Sequence, residues 1–379
     1  MSTEFDEIRP YHDEELPQIY EELIADPAFR QVAAAVMPGI PFEALAARMR
    51  GCHTKLEFQK AFCYPFLKDM IKRCTEGVEM DNPDPQGVYT YISNHRDIVL
   101  DSGFLSMLLV EAGSDTPEIA IGDNLLIYPW IKKLVRINKS FIVQRALTMR
   151  QMLLSSARMS AYMHHAVREK HQSIWIAQRE GRAKDSDDRT QDSILKMLVM
   201  GGEGTILQRL KEMNVQPLSI SYEYDPCDYL KAQEFQQKRD DATFKKSKAD
   251  DLKNMQTGIF GRKGHVHFQA NGCINAELDA LDESMPKQEL FARISALIDR
   301  RIHAGYRMFP NNYVAHDLLY DEQRFTEHYT AADRQCFLEY LEGQLQKVEL
   351  PHKDEPFLRE KLLLMYANPL TNQLKALEG

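Results

Sequence analysis

Between residues 88 and 269 short apolar runs of strand character alternate with longer segments of helical spacing, and few folds satisfy such an order. Strand-like runs fall at 88–93, 118–121, 140–144, 173–177, 216–222 and 265–269. Helical patterning fills the gaps, through Leu109, Val135 and Glu169 and again around 194–200 and 206–213. The alternation predicts an α/β domain whose helices pack over a largely parallel central sheet.

The flanks read differently. Residues 13–75 place apolar side chains at helical spacing, as in Leu16, Ile19, Tyr20 and Leu23 and again in Leu56, Phe58, Phe62, Phe66 and Met70. Two prolines and a glycine within 81–87 end that pattern. From Pro286 onward the spacing is helical again. The expected organisation is therefore an N-terminal helical region over 1–80, an α/β domain over 81–282, and a C-terminal helical region over 283–379.

Composition narrows the function classes. The 379 residues carry a formal charge of −9, whereas a general nucleic-acid binder needs a basic field to displace counterions. An anionic substrate would have to be held by local basic residues. No run approaches the roughly 18 apolar residues of a membrane span, and the acidic start Met1-Ser-Thr-Glu lacks the pattern of a signal peptide. A cytoplasmic location is the expectation. Six cysteines without a Cys-x-x-Cys pair indicate neither a zinc cluster nor a disulfide framework; Cys52, Cys63 and Cys74, spaced by eleven, would share one face of a continuous helix.

Four short elements close or follow strands in order. The first, Ser93-Asn94-His95-Arg96, runs on to Asp97 and Asp101; a histidine held by a carboxylate can take a proton from a hydroxyl at neutral pH. A polar helix cap at Asn94 or Asp97 is the plainer use of the same residues. The second, Lys139-Ser-Phe-Ile-Val-Gln-Arg145, delivers an arginine at a strand end. The third runs from Ile174 to Arg182 and carries Arg179, Glu180, Gly181 and Arg182, with Lys184 behind. The fourth, Val215 to Glu223, is a strand entered through Pro217. Carboxyl ends of strands form the ligand crevice of an open α/β sheet, so base, carboxylates and guanidinium groups would meet at one rim. Such a rim suits attack by an alcohol bearing an anionic head on an activated acyl group, with Arg145 and Arg182 gripping the anion.

Taken together, the four elements resemble the four blocks of the glycerolipid acyltransferase superfamily, which includes glycerol-3-phosphate and lysophosphatidic acid acyltransferases. The resemblance covers roughly 88–223. It implies transfer from an acyl-coenzyme A or acyl-carrier-protein thioester to a glycerol-phosphate or lysolipid hydroxyl, with a His–Asp pair and no covalent acyl-enzyme. No cofactor and no metal are implied. Asn94, Arg96, Lys139, Arg145, Arg179, Glu180, Gly181, Arg182 and Lys184 become candidate substrate contacts, and His95 with Asp101 or Asp97 the catalytic pair. In the family the aspartate falls where Leu100 stands here. One inserted residue in the turn brings Asp101 into place, which the following apolar run Phe104, Leu105, Leu108, Leu109 favours; otherwise Asp97 serves. Lys139 stands where a glycine is usual, and Gln178-Arg179 replaces an aromatic and a proline.

Other features compete. His164, His165, Glu169 and His171 have metal-like spacing but read as a solvated helix face. Residues 201–204 are glycine-rich without the lysine of a phosphate loop and read as a helix stop. Residues 125–136 mix Tyr128 and Trp130 with Lys132, Lys133 and Arg136, suiting either a peripheral membrane contact or packing beside the site. The lysine-rich stretch 231–263 suits either solvent or an acidic carrier protein. The alternative to an acyltransferase is a catalytically silent lipid-binding or scaffold protein on the same fold.

Overall fold

A computed structural model describes residues 3–37, 39–144 and 149–378. Helices α1 (Leu16–Ala25), α2 (Pro27–Val36), α3 (Phe42–Arg50), α4 (Lys55–Phe58) and α5 (Tyr64–Cys74) open the chain. Their starts are written locally. Asp26 accepts from the amides of Ala28 and Phe29 ahead of α2, and Thr54 and Glu57 form a reciprocal capping box at α4. A wider helical turn, Gln59–Cys63, joins α4 to α5, and Cys52 lies ahead of the Thr54 cap, so Cys52, Cys63 and Cys74 do not lie on one continuous helix.

Seven strands follow: β1 (Thr75–Asp81), β2 (Thr90–Ser93), β3 (Glu118–Gly122), β4 (Ser140–Val143), β5 (Ile174–Ala177), β6 (Val215–Tyr222) and β7 (Gly264–Ala270). They form one sheet in the order β1-β7-β6-β2-β5-β3-β4. The run from β6 to β4 is parallel, whereas β7 lies antiparallel to β6 and β1 runs parallel with β7. The sheet therefore claims Thr75–Asp81, which the sequence pattern left in the N-terminal helical region. That strand sits at the edge, half exposed and acidic, and lacks the continuous apolar run that marks β2 or β5.

Between the strands lie α6 (Leu100–Glu111), α7 (Pro129–Ile137), α8 (Met149–Arg168), α9 (Asp192–Leu198) and α10 (Ile206–Glu212). After β6 come α11 (Asp228–Asp240) and α12 (Lys248–Phe260); after β7 come α13 (Asn275–Asp279), α14 (Lys287–Ala304), α15 (Pro310–Tyr320), α16 (Ala331–Gln346) and α17 (Glu355–Glu378). One face of the sheet is covered by α5 and α6, which bury Leu67, Leu100, Phe104 and Leu105 against Tyr91, Leu218 and Phe268. The opposite face carries α8, α9, α10 and α14, with Met163, Leu195, Leu210 and Ile298 against Ile92, Ile174 and Val215. Burying a side chain of this size is worth about 1.5–3 kcal/mol, so the two faces hold the strands firmly.

Two connections decide where a ligand goes. From β2 the chain crosses toward the β4 edge over one face, and from β5 it crosses back to β6 over the other. Loops leaving the neighbouring ends of β2 and β5 diverge and open a crevice at a topological switch point. His95 stands on one side of it and Arg182 on the other.

The helical flanks correct two surface readings. Helix α7 packs into the N-terminal cluster through Trp130, Leu134 and Ile137, with Trp130 against Phe29 at 6.0 Å. Arg136 is buried, donating to the carbonyls of Arg9 (2.8 Å) and Asp6 (2.7 Å), and Lys133 pairs with Glu22 at 2.9 Å. Arg136 is thus spent inside the protein and Lys133 in a pair at the surface, while Tyr128 stays exposed. His164 is likewise not on a solvated face: it is buried, with Nε2 on the Leu198 carbonyl at 2.9 Å, and only His165 and Glu169 form the surface pair. No helix among the described residues is long and apolar enough to cross a membrane.

Candidate active site

β2 ends at Ser93, and the next residue keeps the sheet from fraying. Asn94 is fully buried and pairs with the Ile220 backbone on β6 in both directions, Nδ2 donating to the carbonyl (2.8 Å) and Oδ1 accepting from the amide (2.8 Å). It acts as a surrogate strand residue, which corrects its expected role as a substrate contact.

His95 follows, and its Nδ1 lies 2.8 Å from Oδ2 of Asp101 in the first turn of α6. Asp101 is wholly buried, and the same oxygen accepts from the amides of Arg96 (2.7 Å) and Asp97 (3.1 Å). Three donors on one oxygen fix the carboxylate without a metal or a cationic side chain. With Nδ1 committed to Asp101, Nε2 is the nitrogen free to accept a proton. The imidazole is 13% exposed, enough for a ligand to reach it, and Trp175 presents its ring at 5.6 Å. Trp175 is itself held by its indole N–H on Ser93 Oγ at 3.0 Å.

Asp97 does a different job: Oδ1 accepts from the amides of Val99 (2.9 Å) and Leu100 (2.7 Å), shaping the turn into α6. Burial first, and the neighbouring Asp101 second, raise its pKa above the usual carboxylate range. Gly258 of α12 passes so close that a Cβ there would sit 2.1 Å from Asp97 Oδ2. α12 is thereby seated on the rim.

Arg96 is engaged within the protein, although its buried Nη1 has no hydrogen-bond partner. Its guanidinium is buried, meets Asp188 at 2.8 Å and lies over the ring of Tyr306. Burial opposes its charge, but Asp188 more than offsets that, and the pKa is raised. Asp188 also accepts from the Tyr306 hydroxyl (2.7 Å), and its carbonyl meets His303 Nε2 (2.7 Å). This aspartate, missed in the sequence within the run Asp185-Ser-Asp-Asp188, anchors the loop that leaves β5. The C-terminal helix α17 anchors it further, Asn368 donating to the Asp185 carbonyl (2.8 Å) and Asn372 to Asp187 Oδ1 (3.1 Å).

That loop brings Arg182 to the crevice. Its Nη2 donates to Asn254 of α12 at 3.2 Å, while buried Nη1 has no hydrogen-bond partner. Burial works against the charge, yet Cys227, Asp225 and Asp97 raise the pKa. Arg179 likewise keeps a buried Nε without a partner. Glu180 is exposed and its amide donates to Gln191, and Gly181 turns the chain at φ 69°. Lys184 points to Glu234 of α11 instead of the imidazole.

Lys139 is a clear correction. It precedes β4 at the amino end of the strands, the far rim from His95, and its buried ammonium bonds Asp115 (2.6 Å), the Thr116 carbonyl (3.1 Å) and Gln172 (3.1 Å). Its φ of 58° occupies a left-handed turn that a glycine would adopt without strain. Arg145 lies outside the described residues.

Tyr222, at the end of β6, is a further neighbour that the sequence did not flag. It brings its hydroxyl beside Asp101 without closing a hydrogen bond of good geometry; burial and Asp101 together hold its pKa well above the usual phenol value. An open cavity of about 520 Å³ is lined by Asp81, His267, Asn271, Arg301, Tyr306 and Arg307, and neither member of the dyad lines it. No family model matches the chain, and a search of curated proteins found no match.

Proposed function

We propose that the chain is an O-acyltransferase that moves a fatty acyl group from a thioester of coenzyme A or acyl-carrier protein to a hydroxyl of a glycerol-phosphate or lysolipid acceptor. The observation that carries this reading is the His95–Asp101 pair at 2.8 Å, standing at the switch-point crevice with Nε2 uncommitted. His95 Nε2 takes the acceptor's hydroxyl proton as its oxygen attacks the thioester carbon. Collapse of the tetrahedral intermediate breaks the carbon–sulfur bond, and the imidazolium returns its proton to the departing thiolate. Asp101 holds the tautomer and balances the charge that appears on the ring.

Arg182 supports the anionic half of the acceptor. A buried guanidinium with one unpartnered nitrogen is costly unless a ligand completes it, and a phosphate oxygen does so with a charge-assisted bond. The four blocks, read with Asp101 in the aspartate position, resemble those of the glycerolipid acyltransferases, and that resemblance supports the reading. We place the reaction at the cytoplasmic membrane surface, where such acceptors reside.

Thioester consumption by the purified chain, with and without lysophosphatidic acid or glycerol-3-phosphate, tests the reading. Acceptor-dependent release of free thiol is expected. Binding of acceptor with no thiol release under any donor would instead mark a silent lipid-binding protein.

A further inference from the structure

Three ammonium groups converge on one buried carboxylate beside the crevice. Glu234 of α11 has a side chain 3% exposed; Lys184 comes to it from the loop after β5, Lys238 from the next turn of α11 at 2.9 Å, and Lys246 from the segment before α12 at 2.7 Å. One negative charge faces three positive ones, on a chain whose formal charge is −9. Structural ion pairing needs one partner, and a second and third lysine only add repulsion. The surplus suits an anionic phosphate approaching from solvent, since the lysine side chains are 28%, 51% and 24% exposed.

Distance says which phosphate. Ser247, next to Lys246, caps the start of α12, and Gly258 near its end touches Asp97 beside the dyad. Eleven residues of helix cover about 16 Å. An extended pantetheine arm, from thioester sulfur to phosphate, spans a distance of the same order.

We propose that Lys184, Lys238 and Lys246 bind the phosphate that heads a pantetheine arm, so that the arm runs along α12 and delivers its thioester to His95. The proposal rests on the acyl-transfer reading for its ligand. Coenzyme A and a holo carrier protein both present this phosphate. Lys184 bears the crowding: burial first and then Lys238 contribute to lowering its pKa to about 8, and a bound phosphate would raise it again.

Calorimetric titration of the His95→Ala chain with phosphopantetheine and with pantetheine isolates the phosphate from chemistry. Phosphopantetheine should bind about tenfold or more tightly, as one or two charge-assisted bonds require, and Lys238→Ala/Lys246→Ala should erase that preference. Equal binding of the two probes, or a preference untouched by the substitutions, overturns the site. Lys238→Ala alone, at the most exposed of the three, covers the case in which the double variant misfolds. Repeating the comparison with coenzyme A and with a holo carrier protein identifies the source by which one loses affinity; loss with neither overturns the site. The two readings fail separately. Lysine-dependent binding without any thioester turnover sinks acyl transfer and leaves the site, whereas turnover with an unchanged donor KM in the lysine variants does the reverse.

Discussion

Asp101 and Asp228 are both wholly buried, and they are held in opposite ways. Asp101 loads one oxygen with three donors, including His95, and among the described residues nothing bonds to the other. Asp228, the first residue of α11, shares its load: Oδ1 accepts from the Tyr229 amide (2.5 Å) and Gln344 (2.5 Å), and Oδ2 from the hydroxyls of Tyr340 (2.6 Å) and Tyr366 (2.7 Å). The second network joins α11, α16 and α17 and is complete in itself. The first is complete only on the side facing the backbone. A saturated buried network contributes rigidity, and an unsaturated one beside a crevice keeps capacity for a ligand or a proton.

The largest effect expected from that contrast is at His95. His95→Ala should lower thioester turnover about a hundredfold to ten-thousandfold and leave the thermal unfolding curve near wild type. Wild-type turnover in this variant would break the comparison outright. Asp101→Asn should follow with a loss of about a hundredfold, because the amide can present either an acceptor or a donor to Nδ1 and loses the charge that steadies the imidazolium. An Asp97→Asn control should keep most activity, since Oδ1 there serves backbone amides only.

Asp228 should respond in stability and not in chemistry. Asp228→Ala leaves two hydroxyls and two amide donors facing a void, and urea unfolding should show a loss on the order of 3 kcal/mol. Its pH signature has a defined sign. Burial first, and Asp225 second, push its pKa from 3.8 up to about 7. Between those values the unfolded chain has released the proton and the folded chain retains it, so this group's contribution to stability falls as pH rises from about 4 to 7 and then levels. Asp228→Asn should remove that slope in a series of unfolding midpoints; an unaltered slope would assign the pH dependence elsewhere. Apart from the Asp97 control, the smallest effect expected is at Arg182, where Arg182→Ala should raise the acceptor KM about tenfold, with little change for the donor.

The dyad was legible because its parts are local. His95 and Asp101 are six residues apart, and the apolar run from Phe104 marks the helix that positions the carboxylate. Strand periodicity likewise exposed the parallel sheet, though not the reversed direction of β7, which is set by a long connection through α11 and α12. Sequence could not separate cations that line the crevice from those consumed in pairing. Arg96 meets Asp188 across 92 positions, and Lys139 stands at the wrong end of its strand, yet both look like Arg182 in a string of letters. The apolar and basic face of α7 carried the same ambiguity, because burying Trp130 against Phe29 needs the same pattern as burying it in lipid.

The clamp that α17 places on the loop carrying Arg182 also has a place in time. Asn368 and Asn372 lie 183 and 185 positions downstream of the loop residues they hold. Translation at ~5–20 residues per second makes the loop roughly 10 to 40 s before its clamp emerges, so His95 and Asp101 are synthesised well ahead of the order that Arg182 requires. On the ribosome the His95–Asp101 pair is therefore complete in sequence long before Asn368 and Asn372 can hold the loop at Asp185 and Asp187, and under the proposed function the base would precede the full ordering of the loop that carries Arg182.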